Sequence, residues 1–141
     1  VSWARSAAAG AAAATAWGLQ EPLDQAVLRY DYSDIALLGK LATRGPRWRA
    51  AGFAVHAVNG AAFGLFFEAA RRTTGLEPRR LAVGLALAEH LTLFPLSILV
   101  DRYHPARGEP GLPPIARSPR AFVQATWRHW LFGTLLGRWA A

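Results

Sequence analysis

LALAEHLTLFPL, residues 85–96, decides how this chain is read. Leu and Ala lie on both sides of Glu89 and His90, and Pro95 follows just over one turn later. The run extends to LAVGLALAEHLTLFPLSILV (81–100), and twenty helical residues cover about 30 Å, the thickness of a bilayer's hydrocarbon. Two more windows have this character: AGFAVHAVNGAAFGLFFEAA (51–70) and AFVQATWRHWLFGTLLGRWAA (121–141). A fourth, SAAAGAAAATAWGLQ (6–20), is shorter and Ala-rich. The pattern predicts an all-α, integral membrane four-helix bundle with spans at about 4–20, 51–70, 81–100 and 121–140. A soluble bundle of long buried helices is the alternative.

Composition agrees with a membrane class: 52% of residues are hydrophobic and 18% charged. The net charge is +7, and 15 of the 16 basic residues are Arg. Arg71, Arg72, Arg79 and Arg80 sit between two spans, and Arg117 and Arg120 precede the last. That is the placement of anchors on anionic membrane lipids, not of a nucleic-acid groove, so lipid is the expected partner and nucleic acid is not. No Cys is present, which excludes disulfides and thiolate metal sites. The chain opens with Val and lacks Met, so an alternative start or a cut N-terminus is expected. The first window, with one Arg before it, does not read as a signal peptide.

Between the spans, Pro22 in GLQEPLD (18–24) is expected to stop the first helix. SDIALLGKLA (33–42) spaces Ile35, Leu38 and Leu41 helically behind a Ser33 or Asp34 cap. It reads either as a helix on the membrane surface or as a segment packed on the bundle. The short connection 71–80 predicts that the spans on either side of it are antiparallel neighbours. The connection 101–120 contains five prolines and is irregular. Most Trp residues fall near span ends, as in an interfacial belt. The dense Arg loop at 71–80 places both termini in the cytoplasm by the positive-inside rule.

A charge at the bilayer centre costs roughly 2.5–3.5 kcal/mol, so the intramembrane polar residues should face one another. Measured along the helices from the 101–120 side, His56 lies about 8 Å in, Arg128 about 10 Å, Asn59 and His129 about 12 Å, and Glu89 about 18 Å. This predicts a cluster of Glu89, Arg128, His56, Asn59, His90 and His129, with Glu89 and Arg128 as its ion pair. Gly60-x-x-x-Gly64 and Gly133-x-x-x-Gly137 permit close helix approach, either within the chain or in a homo-oligomer. Pro95 should free the Leu91 carbonyl, with Thr92 near enough to assist. Asp101 and His104 are candidates at the membrane edge.

Three readings of the cluster compete. It is polar glue that sets helix register; or it lines a polar cavity, opening toward 101–120, that handles protons, ions or a small solute; or His56, His90, His129 and Glu89 hold a metal or haem. The absence of Glu-x-x-His and His-x-x-x-His spacings weighs against the third, so no metal or cofactor is expected. No nucleophile motif, phosphate loop or paired carboxylates support an enzyme.

AWGLQEPLD (16–24), HAVNGAAFG (56–64), FPL (94–96) and an aromatic, His-bearing last span resemble the YagU-like small inner-membrane proteins and other four-span bacterial proteins. The Ala- and Arg-rich composition fits a high-GC bacterial source. The resemblance implies a multi-pass protein of the bacterial inner membrane and carries no activity or ligand with it.

Overall fold

A computed structural model describes residues 2–141. The described residues form helices and connections, with no strand among them. In chain order the helices are α1 (Trp3–Leu28), α2 (Asp34–Ala42), α3 (Trp48–Thr74), α4 (Pro78–Leu93), α5 (Ser97–Tyr103) and α6 (Pro119–Trp139). A 3₁₀ turn, Phe94–Leu96, joins α4 to α5, so that 78–103 is one nearly continuous rod. Ser2, Ser33 and Ser118 cap α1, α2 and α6 by accepting backbone N–H groups. Glu77 caps α4, and Pro78 occupies its first turn, where a missing N–H costs nothing. The amides of Arg79 and Arg80 hold the Glu77 carboxyl below its usual range.

The first helix corrects the expectation of a stop at 18–24: α1 runs through Pro22 to Leu28 and closes on Arg29 in a left-handed conformation. An internal proline costs roughly 3 kcal/mol, so the turns beyond it need tertiary support. They have it in Asp24, buried and bound to Arg128, with Glu21 just before the proline held by Ser33. Pro95 is likewise absorbed by the 3₁₀ turn. Thr92 donates to the Ala88 carbonyl, not to that of Leu91.

The helices pack in the order α3–α1–α6–α4. A Cβ on Gly10 would lie 2.0 Å from the Gly60 carbonyl oxygen, and one on Gly64 would lie 2.1 Å from that of Ser6. The α1 and α3 backbones therefore touch. On α6, Gly133 and Gly137 press in the same way on the backbone of α4 at Val83 and Arg79. Both glycine stripes thus serve packing within the chain, one of the two uses left open above. The expected neighbours α3 and α4 meet little despite the short turn joining them. With the glycines on α1 and α6 as the contact surfaces, α3 and α4 form the two outer walls of an open cleft.

α2 is packed on the bundle. Ile35 and Ala36 are buried, and Gly39 and Gly52 let α2 and α3 approach backbone to backbone. The 104–118 connection folds over the same end, with Leu112 and Ile115 in an apolar cluster beside Tyr32 and Ala121. Lys40 reaches Glu109 and the Pro110 carbonyl, and Arg44 also pairs with Glu109. The main core lies between α1, α3, α4 and α6 around Ala13, Phe67, Ala82, Phe132 and Leu136.

Two helices, Trp48–Thr74 and Pro78–Tyr103, are long and apolar enough to cross a membrane. Their apolar windows are only 28% and 11% buried, whereas a soluble core helix of this composition would be mostly covered. α1 and α6 have the length but not the hydropathy. Alanine contributes little, and Gln124, Arg128 and His129 dilute α6. Trp17 leaves the expected belt: it is 6% exposed and central in the core.

Candidate functional site

Arg128 organises the buried polar residues. Its side chain is fully buried on α6, one turn from Gln124, on the face turned to α1 and α2. Nε and Nη2 donate to the two Asp24 oxygens, each at 2.7 Å, in a fork-to-fork pair. Nη1 donates to Asp34 at 2.9 Å, and Nη2 also donates to the Tyr32 carbonyl at 2.7 Å. Glu21 stands 3.5 Å away, and the Tyr32 ring lies under the guanidinium at 4.9 Å. The acids are themselves held. Ser33 Oγ and the Asp34 amide donate to Glu21, Trp17 Nε1 and Tyr32 Oη donate to Asp34, and Gln20 and Gln124 donate to Asp24. Burial pushes the Asp34 carboxyl up, but Arg128, Tyr32 and His56 together outweigh it and leave the group below its usual value. Burial, followed by Asp34, pushes the Tyr32 phenol well above its usual value.

The expected Glu89–Arg128 pair does not form. The two residues face different spaces: Arg128 points to the α1–α2 end, and Glu89 points into the cleft between α3 and α4. The Glu89 side chain is 40% exposed, and its nearest charged neighbour is His129 Nε2 at 3.8 Å.

That cleft widens inward to a cavity of about 430 Å³ between α1, α3, α4 and α6. His56, Asn59, Glu89, His90 and His129 line it, with Trp17, Asp34, Phe63 and Phe132. A groove of about 580 Å³ between α3 and α4 adjoins it and shares Asn59, Phe63, Glu89 and Leu93. The cavity thus opens sideways through the gap between the outer helices. Much of the wall is apolar and aromatic, with a few polar groups. That is the usual make-up of a small-molecule site.

Hydrogen bonds assign two cavity imidazoles. Thr126 Oγ1 donates to the Phe122 carbonyl, so it accepts from His90 Nε2 at 2.9 Å and His90 carries its proton there. His129 Nδ1 donates to the Ala125 carbonyl at 2.7 Å, which leaves Nε2 with a lone pair turned toward Glu89. The two groups face each other across the cavity without a direct hydrogen bond. His56 Nε2 and Ser97 Oγ are buried with no hydrogen-bond partner, and both residues line the cavity.

The structure therefore brings five of the six expected residues to one cavity and takes the sixth, Arg128, to a separate network. Asp101 and His104 hold the connection together. Asp101 accepts the amides of Ile115 and Ala116 at 2.8–3.0 Å. His104 Nδ1 accepts the Ala106 amide, and Nε2 donates to the Leu37 carbonyl. The three cavity histidines do not converge on a point. The Trp17 ring stands between His56 and His129, 4.9 and 4.6 Å from their rings. Among the described residues no three His, Cys, Asp or Glu are poised for a metal ion.

Sequence reading missed Glu21, Asp24, Asp34, Tyr32 and Trp17. One signal was available: four carboxylates fall between residues 21 and 34, at the membrane end from which Arg128 is measured. No protein-family model, no curated protein and no solved structure matches this chain.

Proposed function

We propose that the chain is a four-span integral protein of the bacterial inner membrane, with both termini cytoplasmic, whose central cavity binds a small solute for storage or transport. The observation that carries this reading is a cavity with unsatisfied polar groups, enclosed by helices whose outer faces are apolar. Leu91, Leu93, Leu96, Ile98 and Leu99 are each about half exposed on the 78–103 rod. In water each would forfeit on the order of 1 kcal/mol, whereas lipid is their natural solvent. The mixed cavity fits a bound molecule better than it fits dry packing. The Arg128 network is the structural part, holding α1, α2 and α6 in register beneath the connection. The resemblance to YagU-like proteins is in keeping with this topology.

Because the chain lacks Cys, single cysteines test the proposal cleanly. In proteoliposomes a charged methanethiosulfonate reagent is expected to label Asn59→Cys, at the cavity, and to leave Leu99→Cys unlabelled until detergent is added. Labelling of Leu99→Cys in intact membranes at its detergent rate would overturn the membrane reading. Failure to label Asn59→Cys would overturn the cavity reading.

A further inference from the structure

We infer that the cavity takes an amphipathic organic cation, an ammonium head on an apolar body, in exchange for one proton held by the facing side chains of Glu89 and His129. This rests on the cavity reading above and names its ligand class. The polar groups that line the space can supply acceptors: the Glu89 carboxylate, the His129 Nε2 lone pair, the Asn59 amide, and the unpartnered His56 Nε2 and Ser97 Oγ. No Lys or Arg lines the cavity among the described residues. An anionic head would find no fixed cation in the wall, while an ammonium that displaces the proton finds a carboxylate and further acceptors together. The aromatic walls add to this: Trp17, Phe63 and Phe132 line the space, and aromatic rings attract a cation and accommodate its apolar body. The sideways gap between α3 and α4 gives such a molecule a route from the bilayer, where amphipaths concentrate.

The exchange balances in atoms and charge. R–NH₃⁺ enters, one H⁺ leaves the Glu89–His129 pair for water, and the site keeps its charge. The other titratable groups lining the space with the pair are His90 on α4, His56 on α3, Asp34 on α2 and Tyr32 just before α2, of which Asp34 is bound to Tyr32 and to Arg128, itself outside the cavity. α1 presents Trp17, which does not titrate. Glu89 and His129, 3.8 Å apart, are the acid and the base that face each other, and the traded proton is assigned to them.

Three probes share one body: 4-phenylbutylammonium, 4-phenylbutanol and 4-phenylbutanoate. Calorimetry on the purified full chain in neutral detergent is expected to rank them in that order, with the amine at least tenfold tighter than the alcohol. Amine affinity should rise with pH, by up to tenfold per unit while the pair holds its proton. The binding heat should vary with the buffer's ionisation enthalpy, with a slope of one released proton. Glu89→Gln should weaken the amine at least tenfold and leave the alcohol unchanged, and Glu89→Asp should recover part of the loss. Equal binding of all three probes, or an unchanged amine affinity in Glu89→Gln, overturns the cation assignment and leaves the cavity reading intact. No amine binding while Asn59→Cys labels from water has the same consequence. If Asn59→Cys also fails to label, it is the cavity reading that has failed.

Discussion

Truncating Arg128 is the sharpest test of how this protein is held together. In Arg128→Ala, two carboxylates that accept at 2.7–2.9 Å, Asp24 and Asp34, lose their counter-charge inside the protein. Glu21, 3.5 Å away, loses its only nearby cation in the network. Breaking a buried pair by removing one partner costs about 3–5 kcal/mol, mostly the penalty of the stranded charge. For a chain of this size each kcal/mol moves the melting temperature by about 3 °C, so a fall of about 10–15 °C is expected. Arg128→Lys keeps the charge but not the fork that grips both Asp24 oxygens, and should fall between Ala and wild type. Glu89→Gln is the control. With its side chain 40% exposed and its nearest ionic contact at 3.8 Å, it should cost no more than about 0.5 kcal/mol. The assay is tryptophan-fluorescence melting in a mild detergent, with Asp24→Ala added to close a double-mutant cycle. Additive losses in the cycle, or a Glu89→Gln loss equal to that of Arg128→Ala, would refute the reasoning and restore Glu89 as the partner.

Other predictions concern separate links of the fold. Gly10→Ala puts a Cβ 2.0 Å from the Gly60 carbonyl oxygen and should cost at least about 1–3 kcal/mol by forcing α1 and α3 apart. Gly84→Ala meets nothing within 4 Å and should gain up to about 1 kcal/mol in helix propensity; melting temperatures compare the two. The lowered Asp34 value implies stability that is fully present above its unfolded value near 3.8 and lost as pH falls through the lower folded value. Melting measured from pH 7 to pH 3 should therefore drop at the acid end, and Asp34→Asn should flatten that drop from a lower starting point. Asp101→Ala strips two amide caps from the connection, costing about 1–3 kcal/mol locally. Trypsin should then cut at Arg107 or Arg117 faster than in wild type, with little change in the helical circular dichroism.

Much of the secondary structure was legible because helical windows, serine caps and the Glu77-Pro78 start are local signals. The cavity group was legible for a different reason. Polar residues in long apolar windows avoid hydrocarbon, so His56, Asn59, Glu89, His90 and His129 could be expected inward together. Pairing was not legible. Depth along a helix is one coordinate, and a partner also depends on which way the side chain turns. Arg128 and His129 are adjacent in sequence, yet they face different spaces about 100° apart.

The sequence by itself determined that this chain is helical, that it carries apolar windows of about membrane-span length, and that the polar residues within them need company. Only the tertiary structure decided which company. It carried α1 past Pro22, folded α2 and the 104–118 connection over that end, and so delivered Asp24 and Asp34 to Arg128. It also set α3 and α4 apart, because backbone contact through glycine favours α1 with α3 and α6 with α4. These outcomes depend on the fit of surfaces far apart in the chain, and no local pattern encodes that fit.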